Sequence, residues 1–326
     1  MTNSASVIRL DDGSAIECKS LSISTDMQSW SRRFSGQAFD TEQIRTNDGP
    51  VDIQITVNEV IFRAVITAYS TKTEFPGEDA SFTAVSRAVE LAKPYALTLT
   101  QINENDANAY QLALSLLEYT GWSLNWIPVD WLIPAGVFSL VNASPMDGIK
   151  QLANAVGAFI LCDKRYQVLH VTPVNPVAPW ALSSATPDIT LPVDAATVVA
   201  GEWIENPRFN GVWVSGQNAG VCALVRRDGT AGDVLAGMVV DPLLTVNVAN
   251  RARGIAVLAE SGARQPVTLT MGIHPEIGVI EPGQIVHVED VAYHWTGVCQ
   301  SNSINIAWQD DGLMVKQNPV ILRWYG

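Results

Sequence analysis

The sequence predicts a β-rich α+β protein in which two small β-barrels flank an α/β unit. Three observations carry that prediction. Near both ends of the 326-residue chain, apolar and polar residues alternate at a period of two, the pattern of sheets with one buried face and one wet face. Between residues 96 and 172 the pattern changes to helix-period stretches interleaved with short strands. Pro173, Pro176, Pro179, Pro187 and Pro192 then crowd one stretch, the composition of an extended, semi-rigid connection. The expected divisions are a first β-barrel over 1–95, an α/β domain over 96–172 and a Pro-rich linker over 173–197. A second β-barrel covers 198–326, with an inserted helix near 247–261.

Taken in order, Ile16, Cys18, Leu21 and Ile23 alternate with one slip, which predicts a bulge after Cys18. Residues 30–39 read as the next strand. Residues 51–57, Val-Asp-Ile-Gln-Ile-Thr-Val, alternate strictly. Asn58-Glu59 then reads as a tight turn into a return strand over 60–73, rich in Val, Ile, Thr and aromatics. Residues 74–79 read as a loop around Pro76-Gly77. The stretch 82–92 fits both periods and is assigned strand, because its surroundings are β.

In the middle of the chain, 105–121 reads as a helix capped by Asn105 or Asp106, with Tyr110, Leu114 and Leu117 on its buried face and Gly121 ending it. A second helix has stronger punctuation. Ser144 caps it, Pro145 takes its first position, and Asp147 lies near its positive end. Its stripe is Ile149, Leu152, Ala153 and Val156, and Gly157 stops it. Strands over 158–162 and 166–172 follow. Beyond the prolines, short strands are expected at 211–216 and 221–227, turning at Asp228-Gly229. A helix over 247–261 presents Val248, Ala252, Ile255, Ala256 and Ala259. Strands at 267–271, 284–288, 294–299, 303–308, 313–316 and 320–325 complete the chain.

Composition excludes several functions. The chain has 20 Lys+Arg against 33 Asp+Glu, a formal net charge of -13, so broad binding to nucleic acid through counterion release is excluded. The first residues lack a basic end and an apolar run, so no secretory signal is expected. The apolar runs at 156–162 and 137–141 fall well short of the ~20 residues of a membrane span. Cys18, Cys162, Cys222 and Cys299 stand far apart and read as four buried small hydrophobes. His287 and His294, with Glu289 and Asp290 between them, contain metal-ligating types. Their odd spacing puts them on opposite faces of an unbroken strand unless Val291-Ala292 turns. No nucleophile elbow, zinc-protease helix or phosphate-binding loop is present. No catalytic, cofactor or metal residue is assigned, and an enzyme is not expected.

Tryptophan is more informative. Of 10 Trp, three fall within ten residues: Trp122, Trp126 and Trp131. Pro128 and Pro134 rule out one long helix there. At least one of the three is expected in the core, and at least one other at a subunit or partner surface, where aromatic anchors carry much of the binding energy. A sugar-stacking platform is a third reading.

Several strings together suggest a family. These are Leu10-Asp11-Asp12-Gly13-Ser14, the run Leu21–Met27 with Trp30, and Ser86–Ala96 leading away from the first β unit. To them add Ser144-Pro145-Met146-Asp147-Gly148-Ile149 before the 158–172 strand pair, and Pro282-Gly283-Gln284-Ile285-Val286. In these the chain resembles the baseplate or tail-tip hub proteins of tailed bacteriophages. The resemblance implies a structural virion protein with two Tudor/SH3-like barrels of related shape and an inserted α/β domain. It implies a homotrimer at the tail tip, whose six barrels close a ring. That ring adapts a sixfold tail to a threefold spike or fibre and surrounds the DNA exit channel. The implied partners are the distal tail protein, the tape-measure protein and the central spike or fibre proteins, with genomic DNA only in passage. It implies assembly in the bacterial host cytoplasm. Longer siphophage versions continue into fibre or hydrolase modules. The sequence here stops at Gly326, so neither receptor binding nor wall cutting is expected. An acidic inner wall is expected, with Asp11-Asp12, Glu289-Asp290 and Asp310-Asp311 as candidates, since carboxylates repel DNA. The alternatives are a glycan-binding or carbohydrate-active tail protein, suggested by the Trp excess, and a host cytoplasmic scaffold.

Overall fold

Strict alternation over 51–57 makes the strand Val51–Val57, whose odd positions are buried and whose even ones are half-buried. Asn58 and Glu59 both take left-handed backbone angles, φ 45° and 71°. That geometry closes a two-residue hairpin in register with the right-handed twist of its strands, and the return strand Val60–Glu74 pairs with the first residue by residue. The computed structural model describes residues 3–45, 49–74, 77–192, 194–217, 221–289, 294–309 and 312–325.

The protein is β-rich, built on one large, mostly antiparallel sheet with small α/β elements packed beside it. From one edge the main path runs Ala5–Arg9, Val51–Val57, Val60–Glu74, Gly77–Ser86, Arg33–Ala38, Cys18–Asp26. It continues through His294–Gln309, Gly312–Tyr325 and Ala263–Met271 to Ala196–Gly201. The N-terminal strands curl back on themselves. Ile16 N donates to Val7 O at 2.9 Å and Arg9 N to Ser14 O at 2.8 Å, which ties the first strand to the run entering the second. The expected bulge is present as a register shift between Cys18 and Ser20.

The hairpin of His294–Gln309 and Gly312–Tyr325 connects both ends of the chain. Residues 301–307 pair with the N-terminal strand Cys18–Asp26, while 294–298 pair with Ile285–Glu289. Two β cores result. One gathers Val7, Phe34, Ile53 and Phe62 with Ile304 and Val315 of the hairpin. The other gathers Leu191, Leu269, Val286, Cys299 and Ile321. A third core joins the middle of the chain to residues 211–258: Ile149, Leu152 and Leu169 pack with Val212, Val214 and Leu258. There the small sheet Gly211–Ser215, Cys222–Arg226 and Val239–Val240 carries the helix Asn247–Ala259 on one face.

Several local expectations are corrected. The four C-terminal strand segments at 294–308 and 313–325 are two long strands. The interruptions suggested by polar sequence contain Asn302 and Gln317, which are buried. They bond within the protein, so polarity there does not mark a loop. The loop expected over 74–79 is shorter, because Glu74 and Gly77 pair in the ladder; Phe75-Pro76 lie outside the described residues. Residues 82–92 split between their two periods. The strand Gly77–Ser86 buries Phe82 and Ala84, and a 3-10 turn over Arg87–Leu91 buries Ala88 and Leu91 at a spacing of three. The Pro-rich stretch is not wholly extended: it holds a 3-10 turn, Pro179–Ser184, and a short strand, Ile189–Leu191.

Both weaker helices present a face that overlaps only in part with the one expected: Leu117 and Ala259 are buried as expected, but Tyr110, Leu114 and Val248 are exposed. The first spans only Ala109–Ser115 and starts after Asn108, because Ala107–Asn108 is held extended against Leu132–Ile133. Its buried residues are Ala109, Leu112 and Ala113, while Tyr110 and Leu114 are exposed. In Asn247–Ala259 the buried residues are Ala249, Asn250, Gly254, Leu258 and Ala259; of the expected stripe Ala259 is buried, Ala252 and Ile255 pack partly against the core, and Val248 is exposed. Close approach selects that face: a Cβ on Gly254 would sit 2.5 Å from the Val225 side chain.

The helix Pro145–Ala155 follows its sequence closely. Ser144 Oγ accepts from Asp147 N at 3.3 Å, and Asp147 Oδ2 accepts from Ser144 N at 2.8 Å. Gly157 ends the run at φ 69°. Burial works against the Asp147 charge, but the Ser144 hydrogen bonds hold its carboxyl below the ordinary value. A carboxyl depressed in the folded state stabilises at neutral pH, and that contribution is lost as pH falls through its folded value. Ser144→Ala is expected to cost about 1 kcal/mol. Urea denaturation at pH 7 checks it, and the gap from the parent should narrow in acid.

Candidate functional site

Among the described residues no group of three or more His, Cys, Asp or Glu could hold a metal ion. His287 and His294 lie on neighbouring strands with rings stacked at 5.9 Å, and His287 Nδ1 is 3.0 Å from Thr296 Oγ1. Glu289 faces His294 across the ladder; the turn expected at Val291-Ala292 lies outside the described residues, as does Asp290. Three of the cysteines are buried, and burial pushes the Cys18 and Cys162 thiols up to about 12 and about 11. Cys299 is raised further in the same direction. Thiols so held are poor nucleophiles. Cys222 departs from the expectation of four buried thiols: it is exposed, at the start of an edge strand.

The three clustered tryptophans divide by position. Trp131 is 3% exposed, and its Nε1 donates to Leu243 O at 2.8 Å. It thereby joins the α/β region to the 211–259 unit. Trp122 is also buried, with Nε1 3.4 Å from Glu90 Oε2. Trp126 is only half-buried. It leans on Trp131 with ring centroids 6.4 Å apart and donates to Val129 O at 3.3 Å. Around it Ile127, Val129 and Leu132 are exposed. Of the three, Trp126 is the one a second molecule could reach.

A second apolar surface escaped the sequence reading. The strand Ala196–Gly201 ends the main path of the large sheet, pairing on one side with Ala263–Met271. It has no charged residue, and Val198 and Val199 are 54% and 63% exposed. Trp203 and Ile204 extend this surface, with the Trp203 ring 4.4 Å from Tyr325. Soluble proteins normally protect such edges with charge, proline or bulges. The signal is present as Ala-Thr-Val-Val-Ala at 196–200, but it straddles the boundary between the Pro-rich linker and the second β unit, and no strand is expected there.

The acidic turns proposed for an inner wall are only partly described. Arg9 binds the Asp11 carboxylate at 2.6 Å, and that hydrogen bond lowers the Asp11 pKa. Asp310 and Asp311 lie outside the described residues. No helix among those described is long and apolar enough to cross a membrane.

Taken together, the described residues offer two exposed apolar surfaces and no assembled catalytic set. No protein-family model matches the sequence. No curated protein matches it in sequence either. Solved structures do match, along nearly the whole chain. A tail protein from Neisseria meningitidis MC58 superposes with a TM-score of 0.69 at 14% identity, covering 99% of this chain and 97% of its own. This chain has the fold of that tail protein. The 43 kDa tail protein of prophage MuSo2 from Shewanella oneidensis superposes at 0.66 with 12% identity, over 99% and 98% of the two chains. An E. coli component of the type VI secretion system, which exhibits structural similarity to T4 bacteriophage tail proteins gp27 and gp5, superposes at 0.61 with 12% identity. It covers 98% of this chain and 77% of its own. The structural neighbours thus come from the group that the sequence resembles.

Proposed function

We propose that this protein is a structural hub of a phage tail tip, working as a homotrimer around the DNA exit path. The observation that carries the reading is the end-to-end likeness to tail proteins, with coverage above 95% of both chains in two cases. The two separate β cores support a layout of two barrels per subunit: 1–95 completed by the C-terminal hairpin, and 198–326 carrying the 211–259 unit. The 96–172 α/β domain stands between them, reached through the 173–197 linker. Three such subunits present six similar β units around one axis, which offers six sites to a tail and three to a spike or fibre. The distal tail protein, the tape-measure protein and the spike are the partners in this reading, and the location is the virion.

The uncharged edge at Ala196–Gly201 and the surface around Trp126 are the proposed contacts between subunits or with partners. The excess of carboxylates fits a channel that must release DNA. Phosphates spaced at roughly 1.7 Å per charge bind basic walls strongly, whereas an acidic wall repels them within a Debye length of about 8 Å. Light scattering on the purified chain is expected to report three times the 35.2 kDa monomer mass. Val199→Lys, which charges the edge, is expected to shift the population toward monomer while leaving the far-UV spectrum unchanged. A parent that stays monomeric, together with a particle image lacking threefold density at the tail tip, would overturn the reading.

A further inference from the structure

A cavity of about 470 Å³ opens between the 3-10 turn Pro179–Ser184, the end of the helix Asn247–Ala259 and the C-terminal strands. Its lining inverts the charge of the chain. The protein carries a net charge of -13, yet no Asp or Glu is among the described residues of this wall. Arg208, Arg227 and Arg323 are there, with His287 and His294.

Aromatic rings hold two of the guanidiniums. Arg227 lies 5.6 Å from the ring centre of Trp180. Arg323 lies 4.5 Å from Tyr325 and 5.6 Å from Trp295. A guanidinium stacked by its face keeps its N–H edge for planar, bidentate recognition of an oxyanion. Among the described residues Arg227 has no carboxylate partner. Arg208 has only Glu205, at 3.5 Å between two exposed side chains, a pairing that water screens. Low-dielectric walls focus the remaining positive potential inward. The rings beside the cations supply apolar contact area in the same cavity, whose size is that of a ligand site.

We infer that this cavity binds an acidic segment of a partner protein, its carboxylates on Arg227 and Arg208 and its apolar side chains on the Trp180 and Tyr325 rings. Charge complementarity selects that occupant. A duplex is too wide for the cavity, and the acidic remainder of the protein repels a long polyanion. A short peptide that carries both carboxylates and apolar side chains offers partners to the cations and to the rings. The inference does not depend on the tail-tip reading, since it concerns a cavity within one chain.

The test is calorimetry on the full chain with a capped peptide, Glu-Phe-Glu-Leu-Glu, against its Lys-Phe-Lys-Leu-Lys counterpart. Saturable binding of one acidic peptide per chain is expected, weakened by salt and absent for the basic peptide. Arg227→Gln is expected to weaken it about tenfold or more, the value of a charged hydrogen bond of roughly 1.5–3 kcal/mol. Arg208 is exposed, so Arg208→Gln gives a second reading should the first variant misfold; circular dichroism reports that. Failure of the acidic peptide to saturate, or unchanged affinity in both Gln variants, overturns the inference. Displacement of the peptide by an equal concentration of inorganic phosphate also overturns it, by reducing the cavity to a bare anion site.

Discussion

Arg32→Met is expected to cost about 3–5 kcal/mol of folding stability, the effect of stranding one member of a buried ion pair. Arg32 is 2% exposed. Its Nη1 donates to Glu281 Oε2 at 2.7 Å and its Nη2 to Cys162 O at 3.2 Å. Lys164 Nζ reaches the other Glu281 oxygen at 3.0 Å, as an ion pair without hydrogen-bond geometry. Three stretches far apart in sequence therefore meet at one carboxylate: the strand-entry run at 32, the turn after Cys162, and the loop at 281. Removing the guanidinium leaves Glu281 in a pocket that admits little water, with only Lys164 beside it. The double variant Arg32→Met/Glu281→Gln removes the stranded charge and should lose clearly less than the two single changes summed. Urea denaturation of all four proteins decides it. A loss below about 1 kcal/mol for Arg32→Met would show that this clamp contributes no more than a surface pair.

Gln317→Leu is the second large effect, expected at about 3 kcal/mol or more. The volumes are similar, so the loss comes from hydrogen bonds. Gln317 is fully buried. Its Oε1 accepts from Ile280 N at 3.1 Å and Asn302 Nδ2 at 3.0 Å, and its Nε2 donates to Gly278 O at 2.9 Å. One side chain thus satisfies the backbone of the 278–280 loop from the middle of a strand. Leucine leaves several buried polar groups unpaired, at about 1–3 kcal/mol each. Amide exchange at Ile280 should rise more than exchange in the distant helix Pro145–Ala155. A stability equal to the parent's would show that the loop finds its partners elsewhere.

Arg32 and Gln317 both owe their role to partners distant in sequence. Gln317 and Asn302 look like loop residues in a linear pattern, because a polar side chain in a strand normally faces water. Only the fold supplies the buried carbonyls and amides that satisfy them. Arg32 reads as half of an ordinary Arg-Arg pair for the same reason: its partner is 249 residues away. Trp131 belongs to the core because Leu243 O, 112 residues away, accepts from its indole.

Local chemistry determined a good deal without help. Alternation over 51–57, the left-handed turn at Asn58-Glu59, the bulge after Cys18 and the capped helix at Ser144 depend on neighbours within a few residues. Such preferences act on any backbone that holds them. The β-rich class belongs to the same layer. The tertiary structure decided which faces of the two weaker helices are buried. It chose them by how closely Gly254 could approach Val225 and by where the strand pair at Asn108 ended. It also decided that the C-terminal hairpin completes the N-terminal sheet, and that Ala196–Gly201 is left as an open edge. Both follow from strand pairing between segments far apart in the chain. Every strand carries the same backbone donors and acceptors, so side-chain order along the chain does not encode which one it meets.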